Sequence, residues 1–274
     1  MHLKKYLLVL SILLITFSTV FIDFKPVKAA SGPVPTLFVH GYGGSADTFN
    51  RMIKRFEYNG WGTKTLTCTV SKKGTASCKG SLSTKTKHPL VQVIFEDPTA
   101  SLQDTTFWFT RVLKLLKEKY KVTSFNIISH SMGGIVSTKY IEDTSKNDWY
   151  PKVNRIVTLG SPFGGVSLIG IYKKLGGPAS RDLLIGSKAL SKIQANGKYF
   201  YKNTKMLSVA GRLNPNEMGD GLVEWKSAIA SKKIVPKKNF EEYHFIDFQA
   251  SHSGLHESKT VDKKVGNYLW GYTR

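Results

Sequence analysis

The sequence lacks internal repeats, Pro- or Ser-rich linkers and, beyond its first thirty residues, any apolar run long enough to span a bilayer. Acidic residues are scarce, since 19 Asp and Glu stand against 40 Lys and Arg, for a formal net charge of +21. With 41% hydrophobic and 22% charged residues among 274, the composition excludes a disordered chain, a collagen-like repeat and a coiled coil. The charge predicts attraction to anionic surfaces and says nothing about fold.

The first thirty residues have the layout of a secretory signal peptide. Lys4 and Lys5 form a positive start, residues 6–22 are almost wholly apolar or small, and Val27-Lys28-Ala29 has the small residues of a cleavage site. We therefore expect a signal peptide over 1–29 and a secreted or cell-surface domain over 30–274. The alternative is an uncleaved membrane anchor, for which the apolar run is short. No Cys follows the run, which argues against lipid attachment of a lipoprotein kind.

The chain has only two cysteines, Cys68 and Cys78, and export permits a disulfide between them. The alternating residues on both sides of Lys72-Lys73-Gly74 predict a β-hairpin, with the glycine at the left-handed position of a three-residue loop. Counting outward from this loop sets Ser71 opposite Thr75 and the two cysteines opposite each other. We expect a structural disulfide; the alternative is two unpaired thiols.

Apolar runs alternate with helical patterns along the rest of the chain. Strands are predicted at 36–40, 90–95, 125–128, 153–159, 206–210 and 243–248, besides the hairpin at 65–79. Helices are predicted at 47–58, 101–120, 132–142, 181–195, 222–230 and 262–272. This alternation is typical of an α/β fold with a mostly parallel sheet and helices on both faces, and the hairpin at 65–79 is interpreted as an excursion from the sheet. Residues 161–203 interrupt it and are interpreted as a small lid-like insertion, or else as a long connection with one sheet-covering helix.

The segment Ser129-His130-Ser131-Met132-Gly133-Gly134 lies directly between a predicted strand and a predicted helix. A nucleophile elbow requires this context, because a sharp strand-to-helix turn raises the central side chain and needs small neighbours. Ser131 is therefore the candidate nucleophile, at a helix N-terminus whose N–H groups favour developing negative charge. Ser129 stands where the elbow commonly has glycine. The alternative is a helix cap rich in Ser and Gly.

A second glycine-rich segment, His40-Gly41-Tyr42-Gly43-Gly44, follows the first predicted strand. An oxyanion hole needs backbone N–H groups directed at a carbonyl oxygen, and glycines allow that close approach. We expect the N–H groups of Tyr42 and Met132 to form the hole, and His40 to brace the loop. The alternative is a plain glycine turn.

A serine nucleophile needs a histidine base, and the base needs an acid that fixes its tautomer. In this type of sheet the chain order is serine, acid, histidine. Asp220 follows the predicted strand 206–210 and is the candidate acid; as an Asp beside Gly it could instead be a helix cap or turn residue. His244 falls inside the last predicted strand, whereas His252 and His256 both lie in the loop after it.

Five segments carry a resemblance to a known family: Phe38-Val39-His40-Gly41, His130-Ser131-Met132-Gly133-Gly134, Thr158-Leu159-Gly160-Ser161-Pro162, Asp220-Gly221 and Leu255-His256-Glu257. Together they resemble the α/β-hydrolase superfamily, and more narrowly the secreted lipase-like hydrolases of Gram-positive bacteria long classed as a domain of unknown function. The resemblance covers residues 36 to about 270. It implies Ser131, Asp220 and His256 as the triad, with His256 favoured over His252, and hydrolysis of carboxylic esters, often with short acyl chains.

Two functional hypotheses follow. The first is a secreted serine esterase that acts on a small-molecule or lipid ester without a metal or organic cofactor; peptidase, thioesterase and acyltransferase chemistry use the same triad and stay open. A lipase would need a broad apolar opening to its active site. Five residues of the insertion could form this opening, or they could instead form the core of the insertion itself: Phe163, Leu168, Ile169, Ile171 and Tyr172.

The second hypothesis is a cationic protein that has a hydrolase fold, binds to an anionic cell envelope and has weak or no catalytic activity. The lysine pairs that could make this contact are Lys72-Lys73, Lys173-Lys174, Lys232-Lys233 and Lys237-Lys238. A nucleic-acid partner is not expected, because no recognised motif accompanies the charge and export removes such partners.

Overall fold

Residues 32–167 and 176–272 are described by the computed structural model of the chain. The predicted signal peptide and its cleavage site lie outside these ranges. So do four apolar residues and one lysine pair of the insertion: Leu168, Ile169, Ile171, Tyr172 and Lys173-Lys174. Within the described ranges, no helix combines the length and the apolar character needed to cross a membrane.

The described residues form one eight-stranded sheet. Its strands are β1 Thr36–Val39, β2 Thr63–Val70, β3 Ala76–Gly80, β4 Pro89–Phe95, β5 Ser124–His130, β6 Lys152–Leu159, β7 Lys205–Arg212 and β8 Phe240–Ile246. The spatial order is β3-β2-β4-β1-β5-β6-β7-β8. Every neighbouring pair is parallel except β2 and β3. The loops that leave the carboxyl ends of β1, β5 and β7 therefore meet at one edge, where α/β sheets place their sites.

Seven helices are present in the described part of the chain: α1 Asp47–Tyr58, α2 Leu102–Tyr120, α3 Met132–Thr144, α4 Pro178–Asp182, α5 Lys188–Ala195, α6 Trp225–Ala228 and α7 Lys259–Trp270. Short 3-10 turns cover Asn196–Tyr199, Ile229–Lys233, Lys237–Asn239 and Gly254–His256. The predicted helix at 181–195 was wrong as one element, because Gly186 adopts a φ of 75° and Ser187 then caps a new helix by accepting from the Leu190 N–H. The predicted helix at 222–230 is reduced to the single turn of α6 before a 3-10 turn.

Helices cover both faces of the sheet, as the alternation predicts. Phe38 of β1 packs with Phe49 and Phe56 of α1 and with the apolar side of α7, whereas its neighbours Leu37 and Val39 belong to the cluster under α2 and α3. Alternate strand residues thus feed two separate apolar layers. Full burial of side chains of this size contributes about 1.5–3 kcal/mol each, so the sheet is a rigid base for its loops.

The predicted hairpin is confirmed in detail. The Ser71 N–H donates to the Thr75 carbonyl at 3.0 Å, and Gly74 has a φ of 79°. Cys68 faces Cys78 in the β2–β3 register, and the two sulfurs are bonded. Because β2 also pairs with β4, the hairpin is the edge of the main sheet and does not leave it.

The described parts of the insertion pack onto the body of the fold. Phe163 is 1% exposed and lies in the larger apolar cluster, together with Leu190 and Ile193 of α5. The Asp182 carboxylate accepts from the Leu102 N–H at 2.8 Å and so ties α4 to the start of α2. Phe163 is therefore a core residue, and a moving lid stays a prediction.

Candidate active site

Ser131 lies at the sharp turn between β5 and α3. Its backbone has φ 52° and ψ −127°, a conformation that L-residues rarely adopt. A Cβ at Gly133 would collide with the Val39 carbonyl oxygen, and one at Gly41 would lie 2.7 Å from Ser131 Cβ. The turn thus leaves no room for a side chain at Gly133, on its helix side, or at Gly41 of the facing loop, as expected for a nucleophile elbow. The strained geometry fixes the hydroxyl at the N-terminus of α3.

Ser129, the departure from the usual glycine, is accommodated by the neighbouring strand. Its side chain is fully buried, and its hydroxyl donates to the Val157 carbonyl of β6 at 2.9 Å. A buried hydroxyl with a partner carries no desolvation penalty of note. The elbow geometry is therefore compatible with serine at this position.

Two backbone N–H groups near Ser131 are available to a bound oxyanion. Within the described residues, neither the Tyr42 nor the Met132 N–H donates to a protein acceptor. The glycine loop is held from both sides, since the Gly43 N–H donates to the Pro98 carbonyl at 3.1 Å and the Tyr42 hydroxyl donates to the Gly176 carbonyl. Such fixed donors suit an oxyanion hole.

His40 uses both ring nitrogens within the protein. Nε2 accepts from the Phe95 N–H at 3.0 Å, so Nδ1 carries the proton and donates to the Gly41 carbonyl at 2.9 Å. Burial lowers the pKa of this histidine and keeps it neutral. His40 therefore braces the glycine loop against β4.

The structure differs from the sequence prediction in the histidine that Asp220 contacts. Asp220 Oδ2 lies 2.8 Å from His252 Nδ1, and Oδ1 accepts from the N–H groups of Leu222 and Val223. The His252 N–H also donates to the Asp220 carbonyl at 2.9 Å. Asp220 is thus 2% exposed and paired with the imidazole of His252. It also caps its own turn, so the alternative interpretation of this residue as a turn residue holds as well.

His256, the histidine favoured by the family resemblance, is not the partner of Asp220. The 3-10 turn Gly254–His256 directs its ring toward α1, where it lies 5.9 Å from the Phe49 ring, and toward Glu257 Oε1 at 3.4 Å. Four residues of chain thus separate two imidazoles with different carboxylate neighbours. No signal in the sequence distinguished them, because both follow β8 in one loop.

His130 connects the elbow to the histidine loop. Its Nε2 donates to the His252 carbonyl at 2.8 Å, and its ring centroid lies 4.5 Å from that of His252 and 4.7 Å from that of His256. Burial, followed by the nearby histidines, lowers the pKa of His130 well below its usual value. Its neutral ring therefore acts as a hydrogen-bond donor at all moderate pH values. Within the described ranges, no His, Cys, Asp and Glu side chains form a group that could hold a metal ion.

A cavity of about 230 Å³ connects these groups. Its polar lining comes from the glycine loop and from the side chains of Thr48, His130, Ser131, His252, Ser253 and His256. Its apolar lining consists of Pro162, Val166, Leu183, Leu222 and Val223. A serine at an elbow, an Asp–His pair and free N–H donors around one small cavity form a site that can perform acyl transfer.

The family model of alpha/beta hydrolases of unknown function (DUF915) matches residues 25–272. The chain belongs to this family. The DUF915 assignment confirms the predicted fold and the predicted hydrolase class, and the eight-stranded sheet agrees with both. No curated protein matches this DUF915 hydrolase.

Solved structures share the fold of this DUF915 hydrolase. The product of the gene lin2722 from Listeria innocua is 26% identical with a TM-score of 0.76, over 88% of this chain and 96% of that one. A candidate cell surface hydrolase from Lactobacillus plantarum is 20% identical with a TM-score of 0.70, over 89% and 92%. Carboxylesterase CesB from Bacillus subtilis is 13% identical with a TM-score of 0.51, over 88% and 86%.

Proposed function

We propose that the protein is a serine esterase in which Ser131 is the nucleophile, His252 the general base and Asp220 the acid that orients it. The observation that carries this proposal is the 2.8 Å contact between Asp220 Oδ2 and His252 Nδ1, beside the cavity that the Ser131 elbow also lines. A buried carboxylate at Nδ1 leaves Nε2 of the imidazole free to accept a proton. His256 has only the more exposed Glu257 carboxylate, 3.4 Å from its Nδ1, and is not assigned this role.

The reaction follows from these roles. Ser131 Oγ attacks the ester carbonyl carbon while His252 takes the hydroxyl proton, and the N–H groups of Tyr42 and Met132 stabilise the oxyanion. The alcohol leaves with that proton, and an acyl group stays on Ser131. Water then gives a proton to His252 and attacks the acyl carbon, after which the acid leaves and the proton returns to Ser131. Asp220 stays ionised throughout.

The size and lining of the cavity favour short esters. At about 230 Å³, it is smaller than the pockets that usually hold drug-sized ligands, and most of its lining surface is apolar. The carboxylesterase from Bacillus subtilis, which has the same fold, supports ester chemistry. A short acyl chain therefore fits this site better than a long lipid chain.

The decisive experiment combines turnover with covalent labelling. We expect wild-type protein to hydrolyse p-nitrophenyl acetate and butanoate and to react with a fluorophosphonate probe. Ser131→Ala should lose the label and reduce kcat by at least about 10³-fold, as nucleophile removal does elsewhere. Ser81→Ala is the control, because this serine is exposed and its side chain has no hydrogen-bond partner among the described residues. Labelling and turnover of Ser131→Ala at wild-type levels would reject the serine esterase.

A comparison of two histidine variants tests the base. His252→Gln should reduce kcat by about 10³-fold or more, because it removes the imidazole that Asp220 orients. His256→Gln should retain far more activity than His252→Gln. The reverse order would restore His256 as the base and overturn the assignment made here.

We further propose that the mature protein is secreted and held at an anionic cell surface by its charge. Lys232, Lys233, Lys237 and Lys238 are all exposed within seven residues of chain, as are Lys72 and Lys73 at the hairpin tip. Binding to such a surface by charge alone is weakened by salt. The mass of the exported protein tests cleavage after Ala29, and retention on anionic vesicles in 0.05 and about 0.5 M NaCl tests the electrostatic attachment. Retention that does not change with salt would contradict it.

A further inference from the structure

His256 is a second imidazole at the cavity that the proposed mechanism does not use. Its ring lines the same cavity as Ser131 and His252, although the residue is only 7% exposed. Within the described residues, Nδ1 is buried with Glu257 Oε1 3.4 Å away, and Nε2 forms no hydrogen bond with the protein. A ring nitrogen beside a cavity without a protein partner is open to a hydrogen bond from a ligand, so the position of this imidazole calls for an explanation.

The surroundings of His256 determine which nitrogen carries its proton. Burial lowers the pKa of His256 more than the charge of Glu257 raises it, and the ring is neutral at neutral pH. Glu257 Oε1 lies 3.4 Å from Nδ1, and its negative charge favours the tautomer with the proton on Nδ1. Nε2 is then left with a lone pair, an acceptor for a hydrogen bond.

The backbone that carries His256 is fixed by an arginine of α1. Arg55 Nη2 donates to the His256 carbonyl at 2.9 Å, and the same guanidinium binds Asp262 of α7 through two nitrogens. Asp262 is buried, so this ion pair joins α1, the 3-10 turn and α7. A ring attached to so constrained a backbone can present its acceptor at a defined place, as a specificity determinant requires.

We propose that His256 is a specificity residue that accepts a hydrogen bond from a hydroxyl group of the substrate, so that the preferred substrates are short esters with a free hydroxyl near the ester bond. The proposal rests on the esterase function proposed above and names its substrate class. A substrate hydroxyl would supply the partner that the imidazole lacks, whereas a plain alkyl ester would bury the acceptor unpaired.

The charge of the cavity argues for a neutral hydroxyl over an ammonium group. No Asp or Glu is among the described residues that line the cavity. The carboxylates nearby are already engaged, since Asp262 and Glu257 pair with Arg55 and Asp220 pairs with His252. An ammonium group would therefore find no free carboxylate in the cavity, whereas a neutral hydroxyl needs none.

Matched pairs of esters test this inference. 2-Hydroxyethyl acetate is compared with propyl acetate, which has the same shape in its alcohol, and methyl 3-hydroxybutanoate with methyl 3-methylbutanoate, which has the same shape in its acid. We expect wild-type kcat/KM to favour the hydroxylated ester by about tenfold or more in at least one pair, since a buried polar group rejects a substrate that leaves it unpaired. The pair that shows the preference identifies the side of the ester that His256 contacts.

The variants His256→Phe and His256→Gln complete the test. The ratio between the two esters of a pair should fall to about one in His256→Phe, which keeps a ring but removes the acceptor, and His256→Gln should keep part of it through its amide oxygen. A wild-type ratio near one, or a ratio that persists in both variants, would overturn the proposal. If the Phe variant fails to fold by circular dichroism, the Gln variant alone decides, with a fall in the ratio as the supporting result.

The same assays separate this inference from the esterase proposal. Ser131→Ala should fail on all four esters if the nucleophile is assigned correctly, whatever their ratio. Both proposals are supported if Ser131→Ala is inactive and the wild-type preference for the hydroxylated ester is lost in His256→Phe. Activity that survives in Ser131→Ala would contradict the esterase, whereas an inactive Ser131 variant with no hydroxyl preference in wild type would contradict only the role of His256.

Discussion

Gly160 lies so close to Asp220 that a Cβ on it would approach the carboxylate Oδ2 to 2.9 Å and His252 Nδ1 to 3.2 Å. The glycine follows β6 with a φ of 57°, and its N–H donates to the Val209 carbonyl of β7 at 2.9 Å. It therefore cannot move away from the Asp–His pair without disturbing the sheet. The space for the pair is made by the absence of a side chain.

Gly160→Ala should accordingly reduce kcat for p-nitrophenyl acetate by about 10²-fold, because small displacements of catalytic groups have effects of this size. Gly60→Ala is the matched control, since Gly60 also has a positive φ, of 67°, but no atom lies within 4 Å of a Cβ there. Both variants should lose about 1–2 kcal/mol of stability from the backbone conformation. Equal activities in the two variants would show that the pair tolerates the methyl group.

His130 is expected to act as a positioning residue through its hydrogen bond to the His252 carbonyl. His130→Phe removes this donor and should lower kcat by about tenfold with little change in KM, since a lost buried hydrogen bond is worth about that much. His130→Gln, whose amide can donate, should recover part of kcat. A change confined to thermal stability, with kcat preserved in the Phe variant, would assign His130 a structural role only.

The carboxyl group of Glu142 on α3 should make stability depend on pH. Both its oxygens are buried without a hydrogen-bond partner in the described residues, and burial raises its pKa from 4.5 to about 9. The folded state therefore keeps a proton that the unfolded state releases once the pH exceeds 4.5. The free energy of unfolding should for this reason fall as the pH rises from about 5 to 9. The slope for one proton is at most about 1.4 kcal/mol per pH unit.

Urea unfolding of the wild type and Glu142→Gln at pH 5, 7 and 9 measures this contribution. The Gln variant cannot ionise, and its stability relative to wild type should rise steadily over the range. Glu96→Gln, which removes an exposed carboxyl group outside α3, is the control. A constant difference between Glu142→Gln and wild type would mean that the carboxyl group is ionised in the fold.

The Cys68–Cys78 bond should contribute to stability and not to turnover. The sulfurs close a short loop at the sheet edge opposite β7 and β8, and loop-closure entropy gives about 2–3 kcal/mol for a separation of 10 residues. The Cys68→Ser/Cys78→Ser double variant should unfold at lower urea concentration with kcat unchanged. A large loss of kcat in a double variant that still folds would mean that the hairpin influences the cavity.

The elements with strong local signals could be predicted from the sequence. Residue alternation and one glycine determine the hairpin, so even the pairing of Cys68 with Cys78 followed by counting. Likewise, the elbow between β5 and α3 follows from small residues after an apolar run. Residues close in sequence therefore suffice to locate both features, and contacts from Val39 and Gly41 then complete the elbow.

The features that depend on distant contacts could not be predicted. The choice between His252 and His256 depends on the bond from the His252 N–H to the Asp220 carbonyl, and on Arg55 holding the turn after it. These partners lie 32 and 201 residues away in the chain. In contrast, the division of the helix predicted at 181–195 had a visible signal, Gly186 followed by the capping Ser187, which the apolar periodicity outweighed.

Under the proposed mechanism, the left-handed backbone at Ser131 trades folding stability for reactivity. Conformations of this kind cost about 1–3 kcal/mol in a non-glycine residue, a sizeable part of the margin by which domains stay folded. A glycine at 131 should relieve that penalty, raise the free energy of unfolding and, if Ser131 is the nucleophile, abolish turnover. Variants of this family that have lost their chemistry should therefore drift toward glycine at the elbow.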